Sequence, residues 1–128
     1  MKEKITILVV DDEADFRELM TAWLVSKGYA VISAAGGDDA ISIVKEKDVD
    51  IMLLDLRMPV LDGVETLRRI REFNKRLPVI VVSAYVTELK PGEALAYGIS
   101  GVFYKEKNFE GVLPLLESAL KTHKRLKK

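Results

Sequence analysis

The sequence predicts an α/β fold: a doubly wound, five-stranded parallel sheet with five helices, in a single domain spanning residues 1–128. Two observations carry that prediction. Short apolar runs of strand type alternate along the whole chain with segments of helical period, and repeated βα alternation implies a parallel sheet with right-handed crossovers and helices on both faces. The runs are also nearly continuous in hydrophobicity, as strands covered on both faces must be.

In chain order, the strand candidates are "ITILVV" (Ile5 to Val10), "AVISA" (Ala30 to Ala34), "IMLLD" (Ile51 to Asp55), "PVIVVS" (Pro78 to Ser83) and "GVFY" (Gly101 to Tyr104). The first, third and fourth are the most apolar. After the first strand, Phe16, Leu19, Met20, Trp23 and Leu24 mark one face of a helix that Gly28 closes. Ala40, Ile41 and Val44 mark the second helix, and Leu67 and Ile70 the third. Between the fourth and fifth strands, Lys90-Pro91-Gly92 predicts that the first half of the fourth helix is loop. The last helix carries Val112, Leu113, Leu116 and Leu120, and Pro114 predicts that it starts late or kinks.

Composition excludes several classes. Lys+Arg and Asp+Glu balance at 20 each, which gives no global field for nucleic acid and no disordered acidic character. Cysteine is absent, so disulfides and thiolate metal sites are out and a reducing compartment fits. The apolar run in "MKEKITILVV" is short and ends in acids, which reads as a strand rather than a signal peptide. No apolar stretch approaches bilayer-spanning length. A cytoplasmic protein without membrane or direct nucleic-acid contacts is expected.

The stretch "ILVVDDE" (Ile7 to Glu13) runs four apolar residues straight into three carboxylates. Two carboxylates about 4 Å apart repel by roughly 4 kcal/mol at an effective dielectric near 20. The crowding calls for a cation, a raised pKa or splayed side chains. In open parallel sheets, ligands bind beyond the carboxyl ends of the strands, where the strand order reverses. Asp11 and Asp12 follow the first strand, Asp55 closes the third, Ser83 closes the fourth and Lys105 follows the fifth. In the flavodoxin-like order 2-1-3-4-5, the first and third strands are neighbours about 4.8 Å apart. The three aspartates then converge, and their hard oxygen ligands suit Mg²⁺, which is the expected resolution of the repulsion.

With "VVDDE", "LLDLRMPVLDG", "VVSA" and the lysine of "FYKEK" in family-like spacing over essentially the whole chain, the sequence resembles the receiver domain of two-component response regulators. The combination Asp55, Met58, Pro59, Asp62 and Gly63 is the specific part. The resemblance implies that Asp55 is the phosphoacceptor and that Asp11, Asp12, Asp55 and the backbone carbonyl of Arg57 hold Mg²⁺, with Mn²⁺ as a substitute. It further implies that Ser83 and Lys105 contact the phosphoryl group. Pro59 and Gly63 are expected to shape the acceptor loop, proline by fixing φ and glycine by allowing unusual backbone angles. The implied partners are a histidine kinase or a histidine phosphotransfer protein, and a downstream effector or output domain. No output domain follows the last helix, so a stand-alone receiver or one excised from a longer protein is expected. Arg57 and Tyr85, two positions beyond Asp55 and Ser83, are expected to shield the phosphoryl group from water and lengthen its lifetime.

Duller readings stand beside these. Asp12 could be a helix N-cap, Asp55 a turn residue, Ser83 a small loop residue and Lys105 a solvated lysine. Their joint placement at strand ends favours the functional set. The sequence also departs from the family. Val102 stands where the switch aromatic belongs, which shifts any expected response to the loop after Ser83, Tyr85 included. Glu106 follows the lysine where proline in a cis peptide is usual. Two alternatives remain: a receiver-like module that binds partners independently of phosphorylation, and an aspartate-nucleophile phosphatase of the haloacid dehalogenase type. The second is disfavoured because Arg57 stands where that family has its second aspartate. A Rossmann nucleotide binder is disfavoured because the first βα turn is acidic rather than glycine-rich.

Overall fold

The structure, a computed structural model, describes residues 4–84 and 96–127, with side chains through residue 121. Five parallel strands, β1 (Thr6–Val10), β2 (Ala30–Ala34), β3 (Ile51–Asp55), β4 (Val79–Ser83) and β5 (Gly101–Tyr104), form one sheet in the order β2-β1-β3-β4-β5. That is the expected flavodoxin-like order. The register sets Ile7 beside Ile51 and Val10 beside Leu54, and Asp55 beside Val82. Continuing it by one residue brings Asp11 opposite Asp55.

Among the described residues there are four α-helices: α1 (Ala14–Ser26), α2 (Gly37–Glu46), α3 (Gly63–Phe73) and α4 (Val112–Lys127). The fifth expected helix, between β4 and β5, is described at Ala96 and Tyr97, which are helical. The predictions for Tyr85 and Lys90-Pro91-Gly92 lie outside the described residues. No described helix is long and apolar enough to cross a membrane.

Strand alternation divides the core in two. Ile7, Val9, Ile51, Leu53, Ile80 and Val82 face Met20 and Leu24 of α1 and Val112 and Leu116 of α4. Leu8, Val10, Met52 and Leu54 face Ala40 and Val44 of α2 and Leu67 and Ile70 of α3. Each fully buried aliphatic side chain contributes roughly 1.5 to 3 kcal/mol through removal from water, so the central strands anchor the fold. All residues of β3 and β4 are buried, whereas the edge strand β2 is only partly covered.

Three local expectations are refined. Leu19 is 63% exposed and lies off the buried face of α1. Gly28 ends that helix with φ of +98°, a left-handed conformation that favours glycine. Pro114 neither kinks nor delays the last helix. A 3₁₀ turn (Phe109–Gly111) leads directly into α4 at Val112, so the proline sits in the first turn, where backbone N–H groups have no intrahelical partner.

Candidate functional site

The acidic end of the sheet is built by the strands. Asp11 and Asp55 leave the ends of two neighbouring central strands and are buried, at 1% and 3% exposure. Asp12, the next residue, is exposed. Asp11, Asp12 and Asp55 each offer a carboxylate oxygen, and these atoms lie within 4.8 Å of one another. Lys105 reaches in from the end of β5, its Nζ 3.0 Å from Asp11 Oδ2 and 3.7 Å from Asp55 Oδ2. The same ammonium pairs with Glu13 Oε1 and lies 4.8 Å from the centre of the Phe16 ring. Ser83 is buried at the end of β4, and its carbonyl accepts a bond of 2.9 Å from the Lys105 N–H, which fixes the root of the lysine.

Hydrogen bonds aim the carboxylates. The Glu13 N–H donates to Asp11 Oδ1 (2.9 Å) and the Arg57 N–H to Asp55 Oδ1 (3.1 Å). The Arg17 guanidinium donates to the Asp11 carbonyl at 2.6 Å. Asp11 Oδ2 is buried without a well-aligned hydrogen bond, although the Lys105 ammonium lies close by. The ion-pair distance describes charge proximity, while the missing bond reflects direction. A buried carboxylate oxygen that lacks an aligned donor, facing two other carboxylates, is a donor set that fits a hard divalent cation.

Burial and charge crowding act together on Asp55. Burial, reinforced by the negative charge of Asp11, pushes its carboxyl up to about 7, against the opposing pull of the Arg57 N–H and Lys105. Burial opposes the charge of Lys105, but Glu13 and Asp11 outweigh it and the ammonium is held above its ordinary range. Among the chain's own groups, the repulsion read from "DDE" is met by a lysine and a raised pKa together.

The acceptor loop differs from expectation in one respect. Gly63 does not adopt a left-handed φ; a Cβ there would lie 2.2 Å from the Asp55 carbonyl oxygen and 2.6 Å from Leu56 Cα. Its role is close approach of α3 to the end of β3. The left-handed residue is Val60, with φ of 67°, in a γ-turn closed by the Leu61 N–H on the Pro59 carbonyl at 2.7 Å. Asp62 caps α3 through a 2.8 Å bond from the Glu65 N–H. The N-cap of α1 is Glu13, not Asp12, which removes the purely structural explanation of Asp12.

The Arg57 side chain is exposed. Val102 is partly buried beside Val81 and lines a groove of about 410 Å³ between β5 and α4. The Lys105–Glu106 peptide bond is trans. Glu13 and Phe16 are both in contact with Lys105, and neither is marked as a site residue by the sequence. Their signal was weak, because a third acid and an apolar helix residue are explained without a site.

An open α/β sheet with aspartates gathered from two adjacent strand ends and faced by a lysine defines a carboxylate-centred binding domain. The chain belongs to the response regulator receiver domain family, which it matches over residues 7–117. It is a receiver domain of two-component signalling. It is 38% identical over 124 residues to the transcriptional regulatory protein ZraR of Klebsiella oxytoca, covering 97% of this chain and 28% of that protein. With the transcriptional regulatory protein ResD of Bacillus subtilis (strain 168) the identity is 47% over 78 residues, 61% of this chain and 32% of the relative. The chain thus spans about a third or less of these curated relatives. The response regulator TrrA of Thermotoga maritima, solved in complex with Mg(2+)-BeF, superposes with a TM-score of 0.83 at 29% identity, covering 91% of this chain and 99% of that one. NtrX of Brucella abortus gives 0.88 at 27% identity, covering 97% of this chain and 29% of its own.

Proposed function

We propose that residues 1–128 act as one phosphoacceptor unit, in which Asp55 takes a phosphoryl group from a phosphohistidine of a histidine kinase or a histidine phosphotransfer protein and passes the signal to an effector or output domain. The observation that carries this reading is the convergence of Asp11, Asp12 and Asp55 oxygens within 4.8 Å, with the Lys105 ammonium 3.7 Å from Asp55 Oδ2.

Asp55 is the nucleophile: a carboxylate oxygen attacks phosphorus and gives an aspartyl phosphate, dividing transfer to water into two steps. Lys105 neutralises phosphoryl oxygens, and Ser83 at the end of β4 donates a hydrogen bond to them. Asp11, Asp12, Asp55 and the Arg57 carbonyl are the groups that would hold Mg²⁺, or Mn²⁺ in its place. What the ion supplies there is positive charge, which favours the ionised form of Asp55 and the charge-rich transition state. Buried Asp11, held by Arg17 and the Glu13 N–H, is pre-oriented for that task. Arg57 remains the candidate shield against hydrolysis, together with Tyr85.

Incubation with acetyl phosphate and Mg²⁺, followed by intact-mass measurement, tests the proposal. Wild type should gain one phosphoryl mass and Asp55→Asn should gain none. An adduct that persists in Asp55→Asn, or is absent from wild type, would overturn the assignment. Mg²⁺ should also raise the melting temperature of wild type by linkage, and not that of Asp12→Ala. An equal response in both would remove Asp12 from the metal site.

A further inference from the structure

We propose that Glu13 is an electrostatic latch on Lys105: its carboxylate holds the ammonium that the phosphoryl group must capture, and so sets how readily Asp55 is phosphorylated. The inference rests on the reading of Asp55 as phosphoacceptor and assigns a regulatory role to a residue outside the acceptor set.

Position supplies the first argument. Glu13 is the N-cap of α1, yet its side chain makes no capping bond. Glutamate is not a favoured N-cap residue, because its extra methylene carries the carboxylate past the first-turn N–H groups. Helix stability therefore does not explain where this side chain goes. It turns instead across the mouth of the site to Lys105, a residue 92 positions away.

Geometry supplies the second. Lys105 Nζ bonds Glu13 Oε1 and lies 3.0 Å from Asp11 Oδ2, while Asp55 Oδ2 is at 3.7 Å, beyond hydrogen-bond reach. The Phe16 ring, 4.8 Å from the ammonium, adds a cation–π contact on the same α1 side. Glu13, Asp11 and Phe16 together draw the charge toward the start of α1 and off the acceptor oxygen. An ammonium has three donors in all. One committed to Glu13 is withheld from a phosphoryl oxygen until the pair opens.

Exposure decides that the latch can open. The Lys105 side chain is 14% exposed and that of Glu13 is 63% exposed. A half-solvated carboxylate regains water when released, and exposed ion pairs are individually weak. A phosphoryl group carries nearly two negative charges and three strong acceptor oxygens, so it outcompetes a single carboxylate. Phosphorylation thus displaces Glu13 from Lys105, at the cost of a slower first encounter.

In the reaction itself, an Asp55 oxygen forms a bond to phosphorus as the bond from phosphorus to the acetate oxygen breaks. Acetate leaves with that electron pair, and no oxidant, reductant or proton is required. Removing the Glu13 charge by Glu13→Gln should speed adduct formation from acetyl phosphate about two- to fivefold, the factor expected for loss of one exposed pair. Beryllofluoride, titrated calorimetrically with Mg²⁺, should bind the variant more tightly by a similar factor. In a Lys105→Met background, Glu13→Gln should gain nothing in either measurement, because the effect acts through the lysine. Glu13→Ala serves as a second variant with the same expected signs. An unchanged or slower rate in both Glu13 variants overturns the latch. So does a gain that persists without Lys105, which would assign the effect to general repulsion of the anionic donor. Absence of an adduct from wild type would overturn the phosphoacceptor reading and the latch with it, whereas an adduct at equal rates in wild type and variants overturns the latch alone.

Discussion

The starts of α1 and α3 face the same site and solve opposite problems with the same residue types. Each helix follows the end of a central strand, and each opens on an acid. At α3, Asp62 accepts the Glu65 N–H at 2.8 Å, its carbonyl accepts the Thr66 hydroxyl at 2.8 Å, and Gly63 packs against the Asp55 backbone. The carboxylate there stabilises the helix. On the surface of the same helix, hydrogen bonds from Arg68 and Arg69 lower the Glu65 carboxyl to about 2. At α1, the N-cap Glu13 leaves the helix uncapped by any side chain and pairs with Lys105, while Asp11 uses one oxygen on the Glu13 N–H. Carboxylates at one helix start serve local folding; those at the other crowd around Lys105.

That contrast predicts a graded set of effects. The largest falls on the packed side: Gly63→Ala forces a Cβ into the Asp55 carbonyl oxygen and should cost about 3 kcal/mol, read as a fall in the urea midpoint. A loss below about 1 kcal/mol would mean that the start of α3 yields more easily than its contacts imply.

Next comes the strained side. The Asp55 carboxyl is raised to about 7, so the folded protein holds that proton more tightly than the unfolded chain does. The corresponding stabilisation is therefore present at low pH and is lost as pH rises from about 4, the unfolded value, to about 7. In EDTA, Asp55→Asn should match wild type near pH 4 and exceed it at pH 8. A rise from about 4 to about 7 would correspond to about 4 kcal/mol, and screening through the open mouth of the site should reduce the gain to about 2 kcal/mol. Chemical denaturation across that range measures it, and a constant difference at all pH values would refute the electrostatic origin.

Two smaller effects compare the caps directly. Asp62→Ala should lose about 1 kcal/mol, the usual value of an N-cap bond. Glu13→Ala should change stability by less than about 0.5 kcal/mol, since it gives up one exposed ion pair and no capping bond. Equal losses in the two variants would abolish the distinction between the helix starts.

Much of this was legible in the chain. The five strands fall within one residue of their expected bounds, because each is a short apolar run bounded by polar or turn residues, and the run is most continuous where the strand is buried on both faces, as in β3 and β4. The placement of Asp11, Asp12, Asp55, Ser83 and Lys105 at the carboxyl edge of the sheet was legible because each closes or follows such a run. Leu19 lies outside the buried stripe that its spacing predicts, because helical period alone does not reveal how wide that stripe is. Gly63 is expected from sequence to free a backbone angle, whereas its missing Cβ is what lets α3 approach the end of β3; a glycine signals either free φ or a missing Cβ, and the chain does not say which. The sequence predicts a delay or a kink at Pro114 because the preceding 3₁₀ turn, which places it in the first turn of α4, has no strong sequence mark.

By itself, then, the sequence determined the alternation of elements, the parallel sheet and the residues at its carboxyl edge, all of which follow from local hydrophobic patterning. Tertiary structure alone decided which of these charges Lys105 meets. Lys105 is far from Glu13 and Asp11 along the chain, and its choice among three carboxylates and an aromatic ring depends on differences of about an ångström across the sheet. Coulomb energies and hydrogen bonds change steeply over such distances, more so where burial lowers the local dielectric, and hydrophobic patterning does not encode them.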